Sequence, residues 1–157
     1  MIVRRGKMSL HDMVDSAIEK EADRLVIVNR RKGEPGEIRF QRIERGETRN
    51  VYPVIFLDGV KLRREYEIKE RFVAEAITAG GRRIEVDLAK SLASFLDLPL
   101  RSDRGLFCSF HVAEGASNRL AVCLTSPAAT REVGPGFVVH HLAWHEGGPE
   151  RHESDES

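Results

Sequence analysis

Residues 25–36 read Leu-Val-Ile-Val-Asn-Arg-Arg-Lys-Gly-Glu-Pro-Gly, and the reading of this stretch decides the fold. The short β-branched run at 25–28 predicts a strand buried on both faces, the kind found in a sheet covered by helices. Arg30, Arg31 and Lys32 fall where that strand ends, and Gly33-Glu34-Pro35-Gly36 is a turn by composition. Beyond it Ile38 and Phe40 alternate with polar neighbours, which predicts a second strand over 37–44. A strand, a basic corner and a returning strand therefore form the seed of a sheet.

On the N-terminal side, Ser9 is a good helix N-cap, with Asp12 placed as in a capping box. Leu10, Met13, Val14, Ala17 and Ile18 follow on one apolar stripe, so a helix fills the space before residue 21. A short strand at 2–5 could precede it. On the C-terminal side, Glu44–Glu47 with Gly46 makes a turn. A strand over 49–57 follows, weakened at Pro53, which favours an edge or a bulge. Asp58-Gly59 is a hairpin signal, with Val60 and Leu62 continuing beyond it. Residues 72–77 lean to strand because Ala79-Gly80-Gly81 cuts them short. Ile84, Leu88, Leu92, Phe95 and Leu96 mark a helix over about 84–97, ended by Pro99. Strands at 105–112, 119–126 and 136–144 close the folded part, separated by turns around 115–118 and at Gly134-Pro135-Gly136. The predicted order is a helix, about four strands, a helix and three strands, an α/β or α+β arrangement of sheet and helices.

The chain has 157 residues, 25 Lys and Arg against 25 Asp and Glu, and 41% hydrophobic residues, which suits one soluble domain. No apolar run approaches the roughly 20 residues of a membrane span, and the start resembles no secretory signal. Two cysteines are too few for a disulfide framework, so a reduced, cytoplasmic protein is expected. The zero net charge conceals an asymmetry. Residues 1–64 hold fifteen basic and ten acidic residues, whereas 146–157 hold five acids and one arginine. That acidic tail is expected to be disordered. The basic residues gather as Arg4-Arg5-x-Lys7, Arg30-Arg31-Lys32 and Lys61-x-Arg63-Arg64, a pattern suited to phosphate contacts. Surface ion pairs with Glu34, Glu37 and Glu65 are the competing reading.

Little in the chain suggests catalysis. His140 and His141 point to opposite faces of a strand, and no zinc-ligand spacing accompanies them, so no metal is expected. Cys108 and Cys123 read as buried thiols on neighbouring strands rather than nucleophiles. Phosphate-loop, dinucleotide and nucleophile-elbow motifs do not occur. No catalytic residue and no cofactor is assigned. Seven Phe, two Tyr and one Trp make a stacking platform for bases not obvious, so any RNA binding would read mainly backbone and shape.

Four segments resemble one family in its own order. RRGKMSLHDM (4–13) resembles the strand-to-helix junction of the Brix-domain ribosome-biogenesis proteins, in their short archaeal form. LVIVNRRKGEPG (25–36) is similar to that family's hydrophobic strand and Arg-rich turn, and FLDGVKLRRE (56–65) to its central Gly-Val-x-Leu strand. REVGPGFVVHHLAW (131–144) is similar to its closing motif. The resemblance implies two similar halves, about 1–67 and 68–145. Each would be a mixed sheet packed with helices, like the anticodon-binding domain of class II aminoacyl-tRNA synthetases. It implies non-catalytic binding of ribosomal RNA during rRNA processing and subunit assembly, with pre-ribosomal proteins as further partners. The matching basic positions are Arg4, Arg5, Lys7, Arg30, Arg31, Lys32, Lys61, Arg63 and Arg64. The family's opening strand and helix, with a Thr-Ser-Arg-x-Pro-like segment, have no counterpart here, which would leave an unpaired sheet edge. Two other readings stay open: a protein-interaction scaffold in pre-ribosomal particles, and a tRNA-binding module of the anticodon-domain kind.

Overall fold

A computed structural model describes residues 8–102, 108–126 and 131–145. Arg4, Arg5 and Lys7, the expected strand at 2–5, part of the strand expected at 105–112 and the acidic tail lie outside the described residues.

The first helix, α1 (Leu10–Glu19), starts as the sequence dictates. Ser9 Oγ accepts the Asp12 backbone N–H at 3.2 Å, and the Asp12 carboxylate accepts the Ser9 N–H at 2.8 Å. Together they satisfy two of the donors that a helix start leaves open. Asp12 is held below the usual carboxylate range by its hydrogen bonds to the Ser9 side chain and backbone. Val14 and Ala17 are buried, and α1 packs on the strand that follows.

Three antiparallel strands come next: β1 (Arg24–Arg31), β2 (Glu34–Glu44) and β3 (Glu47–Lys61). They are joined by the two-residue turns Lys32-Gly33 and Arg45-Gly46, all four residues with positive φ. Such turns match the right-handed twist of the strands they connect. The first turn therefore lies one residue earlier than its composition suggests, and Glu34-Pro35-Gly36 already belongs to β2.

Two expectations for this region are corrected. β1 is not buried on both faces: it is the outer strand, with Ile27 buried while Val26 and Val28 stay 52% and 53% exposed. A β-branched run signals strand but does not say how many neighbours will cover it. Asp58-Gly59 is no hairpin turn either, since β3 passes straight through it. The register against the closing strand shifts on both sides of Leu57, so this pair marks a bulge region. Pro53 is buried in a central strand, not an edge, and β3 carries two extra residues there relative to β2. This is the bulge alternative expected for a proline in a strand.

After a 3-10 turn at Arg63–Tyr66 come β4 (Ala76–Ala79), α2 (Arg83–Leu96), β5 (Leu100–Arg101), β6 (Ser109–Glu114), β7 (Leu120–Ser126) and β8 (Arg131–Ala143). β4 takes in only 76–77 of the expected 72–77 strand and runs on to Ala79, and Gly134-Pro135-Gly136 lies inside β8 rather than forming a turn. α2 ends at Asp97 in the left-handed conformation, before Pro99 is reached.

The eight strands among the described residues form one sheet, in the order β1-β2-β3-β8-β7-β6-β4-β5. The architecture is thus α+β, with a single mixed sheet in place of a mixed sheet per half. β1–β3 pair only antiparallel, and the parallel pairs are β4 with β5 and β4 with β6. The last strand, β8, returns to the middle and joins β3 to β7.

One face of the sheet is covered by α2. Leu88, Ala89, Leu92 and Phe95 pack with Phe40, Ile55, Ile77, Val112, Val122, Val139 and Leu142 as the main core. Burial of apolar surface at roughly 25 cal/mol per Å² makes this the dominant stabilising contact. Two arginines fasten the C-terminus of α2 to the sheet. Arg24 donates to the Phe95 carbonyl and pairs with Asp97, and Arg42 donates to the Ser94 carbonyl at 2.8 Å. Cations there also oppose the helix dipole. A second cluster, Cys108, Leu124 and Val133 with Ile68 and Phe72, holds the connecting segment.

Candidate nucleic-acid interface

The register assigns residues to the other face of the sheet. Phe40 lies under α2 and pairs with Val26, so Ile27 and its partner Arg39 point the opposite way, as do Asn29 and its partner Glu37. Glu37 pairs in turn with Phe56, and Phe56 with His141. α1 packs on β1, whose Ile27 is buried on this second face, and the Arg63–Tyr66 turn packs on β8. Between them lies a strip of half-buried side chains.

The strip holds an aromatic pair. The Phe56 and His141 rings are stacked, with centroids 4.0 Å apart and planes 16° apart. Beside it is a depression of about 390 Å³ lined by Asn29, Arg30, Arg31, Gly36, Glu37, Arg39 and Phe56. Gly36 shapes it: a Cβ there would stand 2.4 Å from the Arg31 Cβ, so only glycine lets Arg31 lie so close. The register slips between Asn29 and Arg30, which is how both arginines reach the rim. Glu37 lies among these groups. Its carboxyl is held below the usual range chiefly by hydrogen bonding to Arg39, with a further bond from Asn29 Nδ2 at 2.7 Å.

The register also brings two of the basic runs together. β1 ends, β2 begins and β3 ends at the same end of the sheet, so Arg30–Lys32 and Lys61–Arg64 share it. Among the described residues, none of Arg30, Arg31, Lys32, Lys61, Arg63 and Arg64 makes an ion pair. The expected competing pairs do not form: Glu37 takes Arg39, and Glu65 caps the 3-10 turn by accepting the Leu62 N–H. The runs nevertheless differ in availability. Arg30, Arg31, Lys32 and Arg64 are exposed. Lys61 Nζ lies 4.1 Å from the Tyr66 ring centroid. Arg63 donates to the Lys69 and Glu70 carbonyls and so has structural work already.

Arg39 and the Phe56–His141 pair are functional candidates that sequence reading missed. Arg39 sits outside any basic run, though its place in the alternation of 37–44 puts it opposite Phe40. The ring pair joins residues far apart in the chain, and no local pattern encodes it. His140 has a different neighbourhood, 3.5 Å from Asp58, which also pairs with Arg119. Both cysteines are free and buried, and burial pushes both thiols up. No group of metal-ligating side chains occurs among the described residues, nor does any helix long and apolar enough to cross a membrane.

Fold and site together define a class: an α+β domain whose single sheet is backed by one long helix and presents an arginine-rimmed, aromatic-bearing second face. The comparisons with known proteins give that class its relatives. The chain is 38% identical over 61 residues, 39% of its length, to a protein of Aeropyrum pernix named probable Brix domain-containing ribosomal biogenesis protein. The matched stretch spans 34% of that relative's length. The crystal structure of a probable ribosomal biogenesis protein from Aeropyrum pernix K1 superposes with a TM-score of 0.65. That superposition covers 88% of this chain and 77% of the other at 21% identity, a likeness of fold. No family model matches the chain. The expected resemblance to the Brix-domain proteins is borne out to this extent: the chain is similar in sequence to a protein so named, and similar in fold to a probable ribosomal biogenesis protein.

Proposed function

We propose that this protein is a ribosome-biogenesis factor that binds ribosomal RNA during rRNA processing and subunit assembly, in the cytoplasm and without catalysing a reaction. The observation that carries the reading is the meeting of Arg30–Lys32 and Lys61–Arg64 at one end of the sheet, outside every described ion pair. Cations not held by carboxylates are free to neutralise phosphates and release their counterions. Arg4, Arg5 and Lys7 complete the proposed contact set, pre-ribosomal proteins are the proposed further partners, and the names of the relatives support the process. The same reading takes 1–145 as one domain with halves at about 1–67 and 68–145. In support of that division, α1 falls in the first span and α2 in the second among the described residues, and β3 pairs with β8. Kinship of each half with an anticodon-binding domain is part of this proposal.

The test is binding of structured rRNA fragments as a function of salt. Affinity should fall steeply and linearly on a log–log plot, by roughly 0.7–0.9 per phosphate contact. Absence of binding at low salt sinks the reading. Competition by tRNA for the same site would favour the tRNA-module alternative.

A second reading has its own observation. The outer edge of β1, with Val26 and Val28 exposed, could add a strand from a partner, as in a protein scaffold of pre-ribosomal particles. Partners that stay bound after nuclease treatment would favour it.

A further inference from the structure

We infer that the depression beside the Phe56–His141 pair seats one unpaired RNA nucleotide, its base against Phe56 and its phosphates on Arg30 and Arg31. This rests on the RNA-binding reading and deepens it from backbone contact to recognition of a single strand. Size, chemistry and charge agree. The volume, about 390 Å³, lies in the range of roughly 300–1,000 Å³ typical of small-molecule sites. One wall is an aromatic ring, and every base has a π-face to lay on it. His141 backs that ring at 4.0 Å and fixes its plane, so little freedom is lost when a base arrives.

The floor is polar in an oriented way. Glu37 Oε1 takes the Asn29 amide and Arg39 Nε, whereas Oε2 has only a 3.3 Å contact with Arg39. Oε2 therefore has lone pairs left for an amino or imino N–H of a base, donors that phosphate lacks. The carboxylate repels phosphate from the floor, and the exposed Arg30 and Arg31 attract it to the rim. The base is thus directed inward and the backbone outward. A paired base cannot enter, because its edge is used and its faces are stacked. An acidic peptide would satisfy the rim but would meet Glu37 with the wrong charge.

The full-length protein can be titrated with a short mixed-sequence RNA, alone and annealed to its complement, by fluorescence anisotropy. A 2-aminopurine in the single strand reports stacking. Phe56→Leu keeps a branched apolar side chain, somewhat smaller, and removes the ring. It should weaken single-strand binding by roughly 5- to 30-fold, abolish the 2-aminopurine quench and leave duplex binding unchanged. Phe56→Tyr should retain both affinity and quench. The Arg30→Ala/Arg31→Ala variant should weaken single strand and duplex alike and lower the salt slope by about 1.4–1.8. The inference is overturned if Phe56→Leu, folded by circular dichroism, weakens both RNAs equally or neither, while rRNA binding by the wild type still stands. If the wild type binds no RNA at low salt, the broader reading falls with it.

Discussion

The Glu85 carboxylate on α2 accepts the backbone N–H of Glu114, at the end of β6, at 2.9 Å. It also accepts the Arg82 backbone N–H at 2.9 Å and Arg82 Nε at 2.8 Å. One buried acid thus caps its own helix and ties that helix to the sheet. Glu85→Ala leaves two backbone donors without their partner and opens a hole beneath α2. The expected cost is about 3 kcal/mol, measured by urea unfolding, with Glu85→Gln losing less because its carbonyl still accepts.

The same residue makes stability depend on acid. Burial pushes the Glu85 carboxyl up, but its hydrogen bonds with Arg82 and Glu114 outweigh that and hold it below the usual range. Glu37 is lowered too, chiefly by Arg39. A carboxyl depressed in the folded state is protonated first in the unfolded chain. Its contribution is therefore complete above the unfolded value of about 4.3 and is lost as pH falls through the folded one. Melting temperature should hold steady from neutral pH down to about 5 and then drop, and Glu85→Gln should flatten that drop. A Glu85→Gln curve as steep as the wild type's would contradict the assignment.

Gly134, in β8, has φ +63°, and a Cβ on it would stand 2.2 Å from Tyr66 Cε2. The Tyr66 hydroxyl reaches Cys123 Sγ at 3.4 Å, so the ring lies across β7 and β8 together. Gly134→Ala should cost about 3–4 kcal/mol from backbone strain and overpacking together. In a Tyr66→Ala background the same change should cost only the backbone share, about 1–2 kcal/mol. A double-mutant cycle by denaturant unfolding measures the difference, and strict additivity would mean that the two residues do not meet.

What the sequence disclosed was local. Ser9 with Asp12, the apolar stripes of α1 and α2, and the alternation in β2 each encode their element within a few residues. The errors share a cause. Asp58-Gly59 has the chemistry of a hairpin, but the partner that keeps β3 straight, β8, lies some eighty residues on. Val26 and Val28 look like core because hydrophobicity does not report that β1 is outermost. The basic runs were visible as runs, but that two of them share one sheet end follows from register. Phe56 and His141 are stacked because β3 and β8 pair with a slip next to both residues, a long-range fact with no local trace.

Arg63 and Arg64 are neighbours with opposite expected behaviour. Arg63 donates to the Lys69 and Glu70 carbonyls and so pins the segment that leads from β3 towards the second cluster. Arg63→Ala should lower stability by about 1–2 kcal/mol, because those hydrogen bonds are lost together. Arg64 is exposed and pairs with no described carboxylate. Arg64→Ala should therefore leave stability within about 0.5 kcal/mol yet, under the proposed RNA-binding role, reduce the salt slope of rRNA binding by roughly 0.7–0.9. Thermal unfolding and RNA titration of both variants under identical buffer separate the two roles. If Arg64→Ala destabilised the fold while Arg63→Ala left it intact, the hydrogen bonds assigned to Arg63 could not be what holds this segment, and Lys61, two residues before Arg63, would have to be tested as its anchor through Tyr66.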